Sequence, residues 1–162
     1  MVNDGGLIAT LEQAIADKLV ALQNGGSNVF KDAISCAVWR HQLSASRAGI
    51  EAIQKYAPCC FVSYQSESSH REGGYDLGMD IDIAVLIGQY ADVDGVARIG
   101  DASRLGTSKI RDLVIAALDR THPGATFNCD DIIYKNATEV FDSPKAHLLQ
   151  LNFTVLNVLG LS

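Results

Sequence analysis

No apolar run in this sequence reaches the ~18–20 residues that a membrane-spanning helix needs. The opening "MVNDGGLIATLEQ" has no basic stretch leading into an apolar one and a small-residue cleavage site, so the reading is cytoplasmic, with release only by lysis. Cys36, Cys59, Cys60 and Cys129 form no C-x-x-C pair. Adjacent Cys59 and Cys60 suit joint zinc ligation poorly, so the four are expected as reduced apolar filler. Lys and Arg are not clustered and the formal net charge is -6, which argues against a sequence-independent grip on DNA phosphates. Trp39 and the tyrosines are not interleaved with basic residues, so a stacking platform for single strands is not expected. Neither Gly-x-Gly-x-x-Gly nor a Gly-Lys-Ser/Thr ending occurs, despite the glycines of "GGYDLG" and "RIGDASRLG", so no phosphate loop is expected. Ser66, Ser68, Ser69 and His70 stand close together, but without a Gly-x-Ser-x-Gly elbow. A thiol of Cys59 or Cys60 with His41 or His147 is the other nucleophile to weigh; buried filler is the better account.

What the sequence does contain is globular. Its 162 residues, 48% hydrophobic and 20% charged, suit one domain spanning 1–162 with one core. Ile8, Leu11, Ile15, Leu19 and Leu22 recur at three- and four-residue steps and predict a first helix, capped by Asn3 or Asp4 and stopped by Gly25-Gly26. A strand is expected over 29–38 and a short helix over 46–56, capped by Ser44 or Ser46. Pro58 then opens a strand over 59–65. The polar "SESSHREGG", 66–74, reads as a loop that orders on a partner. Leu77, Met79, Ile81, Ile83, Val85 and Ile87 alternate with Asp76, Gly78, Asp80, Asp82 and Ala84, a half-buried strand. Asp101 is expected to cap a helix through Leu118. Two shorter strands, "TFNCDDIIY" and "TEVFD", precede a closing strand with Leu149, Leu151, Phe153 and Val155 inward and Gln150, Asn152 and Thr154 outward. The order predicts a two-layer α+β domain, with a mainly antiparallel or mixed sheet and helices packed on one face.

Asp80 and Asp82, two apart on a strand, project to one side as a metal pair requires. A nucleotidyltransferase of the polymerase-beta type places such a pair on a strand, after a Gly-Ser that opens a helix and before a third acid on another strand. Here Gly73-Gly74 lies six residues before Asp80 with no room for a helix, and the closing strand offers Gln150 and Asn152. A hydrated acidic sheet face is the better reading.

The helix "LIATLEQAIADKL", the strand "DIDIAVLI", the block "ARIGDASRLGTSKIRDLVIAAL" and the closing "LLQLNFTVLNVL" together resemble the gene-thirty-seven product family of Mu-like phages, with Arg98–Leu118 the closest part. That family is similar in organisation to tail terminators, which cap the tail tube as a hexameric ring. The resemblance implies a non-enzymatic virion protein, without cofactor, made in the host cytoplasm and then resident in the tail or neck. Its implied partners are copies of itself, the tail tube and the neck or head-completion proteins, with DNA only in passing and no membrane. On this reading Glu67, His70, Arg71 and Glu72 meet a neighbour or the tube, and Arg98, Arg104 and Arg111 form intersubunit ion pairs. Asp76, Asp80, Asp82, Gln150 and Asn152 line a lumen or face solvent. A metal-dependent nucleotidyltransferase using Asp80 and Asp82, and a neck adaptor that binds as a single subunit, are the alternatives.

Overall fold

The computed structural model describes residues 6–31, 36–38, 47–72 and 75–161. In chain order the elements are α1 (Gly6–Val20), β1 (Gln23–Asn24), β2 (Ser27–Asn28), β3 (Cys36–Val38), α2 (Arg47–Tyr56), β4 (Cys59–Glu72) and β5 (Tyr75–Tyr90). Then follow α3 (Val96–Ile99), β6 (Gly100–Asp101), β7 (Arg104–Leu105), α4 (Thr107–Leu118), β8 (Phe127–Asn128), β9 (Ile132–Asp142), β10 (Ala146–Val158) and β11 (Gly160–Leu161). The main sheet runs β3-β4-β5-β10-β9, antiparallel except where β3 lies parallel to β4. This is the expected α+β fold. Among the described residues no helix is long and apolar enough to cross a membrane.

Period two in β5 decides which face is dry. Ile81, Ile83, Val85 and Ile87 are buried with Leu151, Phe153 and Val155 of β10, beneath Leu11, Ile15 and Leu19 of α1 and Ile110, Val114 and Leu118 of α4. The opposite face changes character along its length. At the Asp80–Asp82 end it is polar; from Ala84 onward it is apolar, and there Ile53 of α2 packs on Cys59, Phe61, Ala84, Leu86 and Leu148. So α1 and α4 share the expected face, and α2 covers one end of the other. Gly88 permits that approach: a Cβ there would sit 2.8 Å from Cys59 Sγ and 3.3 Å from Ile53 Cγ1.

Five local expectations change. Gly25 and Gly26, at φ 60° and 84°, do not stop α1, which ends at Val20; they turn the β1–β2 hairpin, as successive positive φ values favour. Of the strand expected over 29–38, Cys36–Val38 is strand, Val29 and Phe30 enter the core from a turn, and 32–35 lie outside the described residues. The loop expected over 66–74 is strand as far as Glu72; Gly73 and Gly74 lie outside the described residues. Asp101 does not cap the last helix. Its Oδ1 accepts from Ser103 N–H at 2.9 Å and Ser103 Oγ–H at 3.0 Å, which holds the Asp101 carboxyl below its ordinary pKa and turns β6 into β7. The strand expected over "TFNCDDIIY" divides: Phe127–Asn128 is β8, paired with β11, and Ile132–Tyr134 joins "TEVFD" in a single β9, whose exposed polar stretch keeps its backbone pairing to β10 from Ile132 to Asp142. The caps expected at Asn3, Asp4, Ser44 and Ser46 lie outside the described residues.

One polar group is buried in the α1 interface. Glu12 is 6% exposed, and its Oε2 accepts the Tyr64 backbone N–H at 3.0 Å, beside the irregularity in register between Tyr64 and Ser66. A bulge leaves a backbone donor unpaired by its neighbour strand, and Glu12 satisfies it. Glu12→Ala should therefore destabilise the fold by about 1–3 kcal/mol, the cost of an orphaned buried donor. Glu12→Gln, which keeps an acceptor, should cost less. Urea unfolding midpoints measure both, and equal losses would show that the hydrogen bond is not what matters.

Candidate functional site

The polar half of the open face is a hydrogen-bonded surface across four strands. Antiparallel pairing places Ser66 and Thr154 opposite Asp82 on its two sides. Ser66 Oγ–H donates to Asp82 Oδ2 at 2.9 Å and Thr154 Oγ1–H to Oδ1 at 2.6 Å. Gln150 Nε2 donates to Asn152 Oδ1 at 2.8 Å, and Asn152 Nδ2 to Asn136 Oδ1 at 2.7 Å. Asp80 Oδ1 accepts the backbone N–H of Asn157 at 3.1 Å; Asn157 stands at positive φ, where the register of β10 shifts between Val155 and Val158. Asn157 Nδ2 in turn donates to Asp130 Oδ2 at 2.6 Å. Asp82, Gln150 and Asn152 are thus brought together as expected, with both Asp82 oxygens engaged by hydroxyls. A cavity of about 430 Å³ opens above Asp82 and Asn152, with Lys135 and Asn136 on its rim.

The hairpin of β4 and β5 leaves this surface as an arm. Its pairing continues through Arg71↔Asp76 and Glu72↔Tyr75, whereas β10 pairs with β5 only as far as Val158↔Met79. The parallel partner β3 covers only Cys60–Val62 of β4. Beyond Gly78, which the Asn157–Leu159 segment still abuts, the arm is, among the described residues, a two-stranded ribbon with no further strand paired to either edge, and Gln65–Ser69 are exposed at its root. Glu67 lies there; the side chains of His70, Arg71, Glu72 and Asp76 lie outside the described residues.

Arg98 and Arg111 line one cavity, and Arg104 stands apart from them. Arg98 Nη1 lies 3.1 Å from Asp142 Oδ2 and 3.5 Å from Glu139 Oε1. Arg104 Nη1 donates to Tyr90 O at 2.9 Å. Arg111 pairs with Asp112 at 2.7 Å and lies over the Tyr134 ring; the Tyr134 hydroxyl is the chief cause that raises its already high pKa. Each is engaged within its own chain.

A further cluster escaped the sequence reading. His147, 3% exposed, has Thr107 Oγ1 at Nδ1 and Glu139 Oε1 at 2.7 Å from Nε2. Glu139 and Asp142 are three apart, but the register shift between Leu148 and Leu149 leaves Val140 unmatched, which brings both acids to the His147 side of the hairpin. Glu139, Asp142 and His147 offer ligand atoms within 4.8 Å of one another. No signal in the sequence pointed there, because a bulge is set by strand pairing. Cys59 and Cys60 fit their expected role, being buried and in no disulfide, and His147 faces Thr107 and Glu139, while His41 and the Cys36 side chain lie outside the described residues. Burial and the neighbouring Asp130 and Asp131 push the Cys129 thiol up.

No known protein family matches the chain, and no curated protein matches it.

Proposed function

We propose that the chain is a self-assembling virion subunit, a tail-terminator-like protein that closes as a ring on a tail tube and presents a surface to neck or head-completion proteins. It would be made in the host cytoplasm and end in the virion. The arm carries this reading. An isolated two-stranded ribbon is marginal in water, because most of its hydrogen-bonding edge and both its faces remain hydrated. A ribbon that projects past the sheet is stabilised when a neighbouring subunit or tube completes it. Contacts of this head-to-tail kind close into a ring when the rotation per subunit matches the ring number. The polar face suits a lumen: Asp80 and Asp82 keep their oxygens on partners in their own chain and present negative charge that repels phosphates.

Native mass spectrometry and electron microscopy of the purified chain, alone and with tail tubes, test the reading. Rings, free or formed on tube ends, are the expected result. A chain that stays single with tubes present, and that transfers labelled nucleotide with magnesium through Asp80 and Asp82, would replace it with the nucleotidyltransferase reading. One that stays single and binds only a neck protein would make it an adaptor.

Asp80→Asn with Asp82→Asn should leave rings intact, since amide oxygens still accept from Asn157 and Thr154. The change removes two negative charges per subunit, so duplex DNA should be retained more strongly by the assembled ring in gel-shift assays at low salt. Failure of the doubly changed chain to assemble would count against the lumen.

A further inference from the structure

The cluster at the tip of the β9–β10 hairpin lies on the helix-covered side of the sheet, the opposite face from Asp80 and Asp82, and stands apart from the assembly reading. We propose that Glu139, Asp142 and His147 form a binding site for a divalent transition-metal ion of the zinc type, occupied by the Arg98 guanidinium when metal is absent.

The donor set selects the class of ion. One imidazole nitrogen and two carboxylates suit zinc and its neighbours, whereas calcium takes six to eight oxygens. Three protein ligands also leave a fourth, solvent-facing position.

The framework is built unevenly, as a metal site requires. His147 is fixed, its side chain 4% exposed; those of Glu139 and Asp142 are 44% and 42% exposed. A tetrahedral zinc with bonds of roughly 2.0–2.2 Å holds its ligand atoms roughly 3.3–3.5 Å apart. Closing from within 4.8 Å asks for a shift on the order of 1 Å, which rotation of two half-exposed carboxylates supplies. Behind the ligand, Thr107 meets Nδ1 from the first turn of α4. A hydroxyl both donates and accepts. It can therefore serve either tautomer of His147: donating to Nδ1 while Nε2–H faces Glu139, or accepting from Nδ1–H while the Nε2 lone pair faces an ion. Such an outer partner fixes a ligating histidine's tautomer and ring angle. Gly106, immediately before Thr107, admits no side chain, since a Cβ there would overlap the backbone of Arg98, Ile99 and Gly100. That close approach packs the start of α4 against α3, which carries Arg98.

Arg98 already places a cation at this point. Its side chain is 52% exposed, yet its Nη1 sits between the two acids. The carboxylates already converge on a point that holds positive charge, and the arm that supplies it is free to swing into water. The adjoining cavity of about 460 Å³, with Ser108 and Arg111 on its wall, gives an ion its way in.

Chelator-treated full-length chain titrated with zinc, and with cobalt for its visible spectrum, provides the test. The expected result is one ion per chain, a cobalt spectrum of four-coordinate type, and a raised melting temperature. Calcium and magnesium at the same concentration should not compete. Glu139→Gln and Asp142→Asn, both half-exposed and checked for native circular dichroism, should each weaken zinc at least tenfold. Arg98→Gln, which removes the competing cation, should tighten it several-fold. Cys129→Ser should leave it unchanged, since Cys129 with His122, whose Nε2 is 3.7 Å from Sγ, is the alternative zinc ligand pair. No binding, binding that survives both carboxylate changes, binding lost with Cys129→Ser, or weaker binding in Arg98→Gln would overturn the proposal.

Discussion

A chain in which 70–78 are replaced by a two-residue Asn-Gly turn should fold normally and fail to form rings. The cut falls where Ser69 pairs with Met79, so a two-residue hairpin of the primed type closes the shortened strands. Everything removed lies beyond the last pair between β5 and β10; the buried Ile81, Ile83, Val85 and Ile87 remain. The unfolding midpoint should therefore move little. Association should weaken by at least ~100-fold, about 2.8 kcal/mol, because the proposed contact made by the arm is gone. Analytical ultracentrifugation over a range of concentrations measures this, with capping of tubes seen by microscopy. Rings that form as readily without the arm would remove the observation on which the proposed function stands.

The arm was also what the sequence concealed, and the physical cause is plain. Period-two alternation appears when one face of a strand is dry. From Ile81 to Ile87 it is, and β5 was legible at once; so were the α1 stripe and the inward Leu151, Phe153 and Val155 of β10. From Gln65 to Ser69 the strand β4 has no dry face, so serines and glutamate follow without pattern and imitate a loop. Only the partner strand, through backbone pairing such as Ser66↔Asp82 and Ser68↔Asp80, reveals the element. The middle of β9 was lost for the same reason: "KNA" is exposed, lies at the sheet edge, and is held by its pairing to β10.

Candidate residues divide along similar lines. Asp82, Gln150 and Asn152 share a face because parity within a strand is readable, and the cross-strand register then gathers them. Arg98, Arg104 and Arg111 were grouped by charge alone; the fold engages each with a partner nearby, setting Arg98 and Arg111 on one cavity and Arg104 apart from them. His147 with Glu139 and Asp142 needed a bulge to meet, and Thr107 joined them only because α4 begins six residues later than the cap expected at Asp101. Asx-turn chemistry at Asp101 and Ser103 won over helix capping, a competition that sequence spacing alone leaves undecided.

Phe153→Ala should be among the most damaging single changes in this chain, with an expected loss of about 3–5 kcal/mol. Phe153 is 1% exposed at the centre of β10, the strand paired on both sides. Its ring meets Tyr134 of β9 edge-on, with centroids 5.5 Å apart and planes at 61°, a geometry that contributes about 0.5–1.5 kcal/mol beyond area. Tyr134 is itself the platform under Arg111 of α4, and its backbone N–H donates to Asp119 Oδ1 at 2.9 Å just past that helix. One aromatic pair therefore joins two strands to α4, and the vacated space has rigid walls of sheet on either side, which do not collapse to fill it. Domains of this kind are stable by only ~5–15 kcal/mol, so the variant should unfold at markedly lower urea, with an unchanged slope. Phe153→Leu should cost less, and a double-mutant cycle with Tyr134→Ala should return a coupling of about 1 kcal/mol. A loss under about 1 kcal/mol for Phe153→Ala would mean that this site relaxes freely, and the layered core described for β5 and β10 would have to be redrawn.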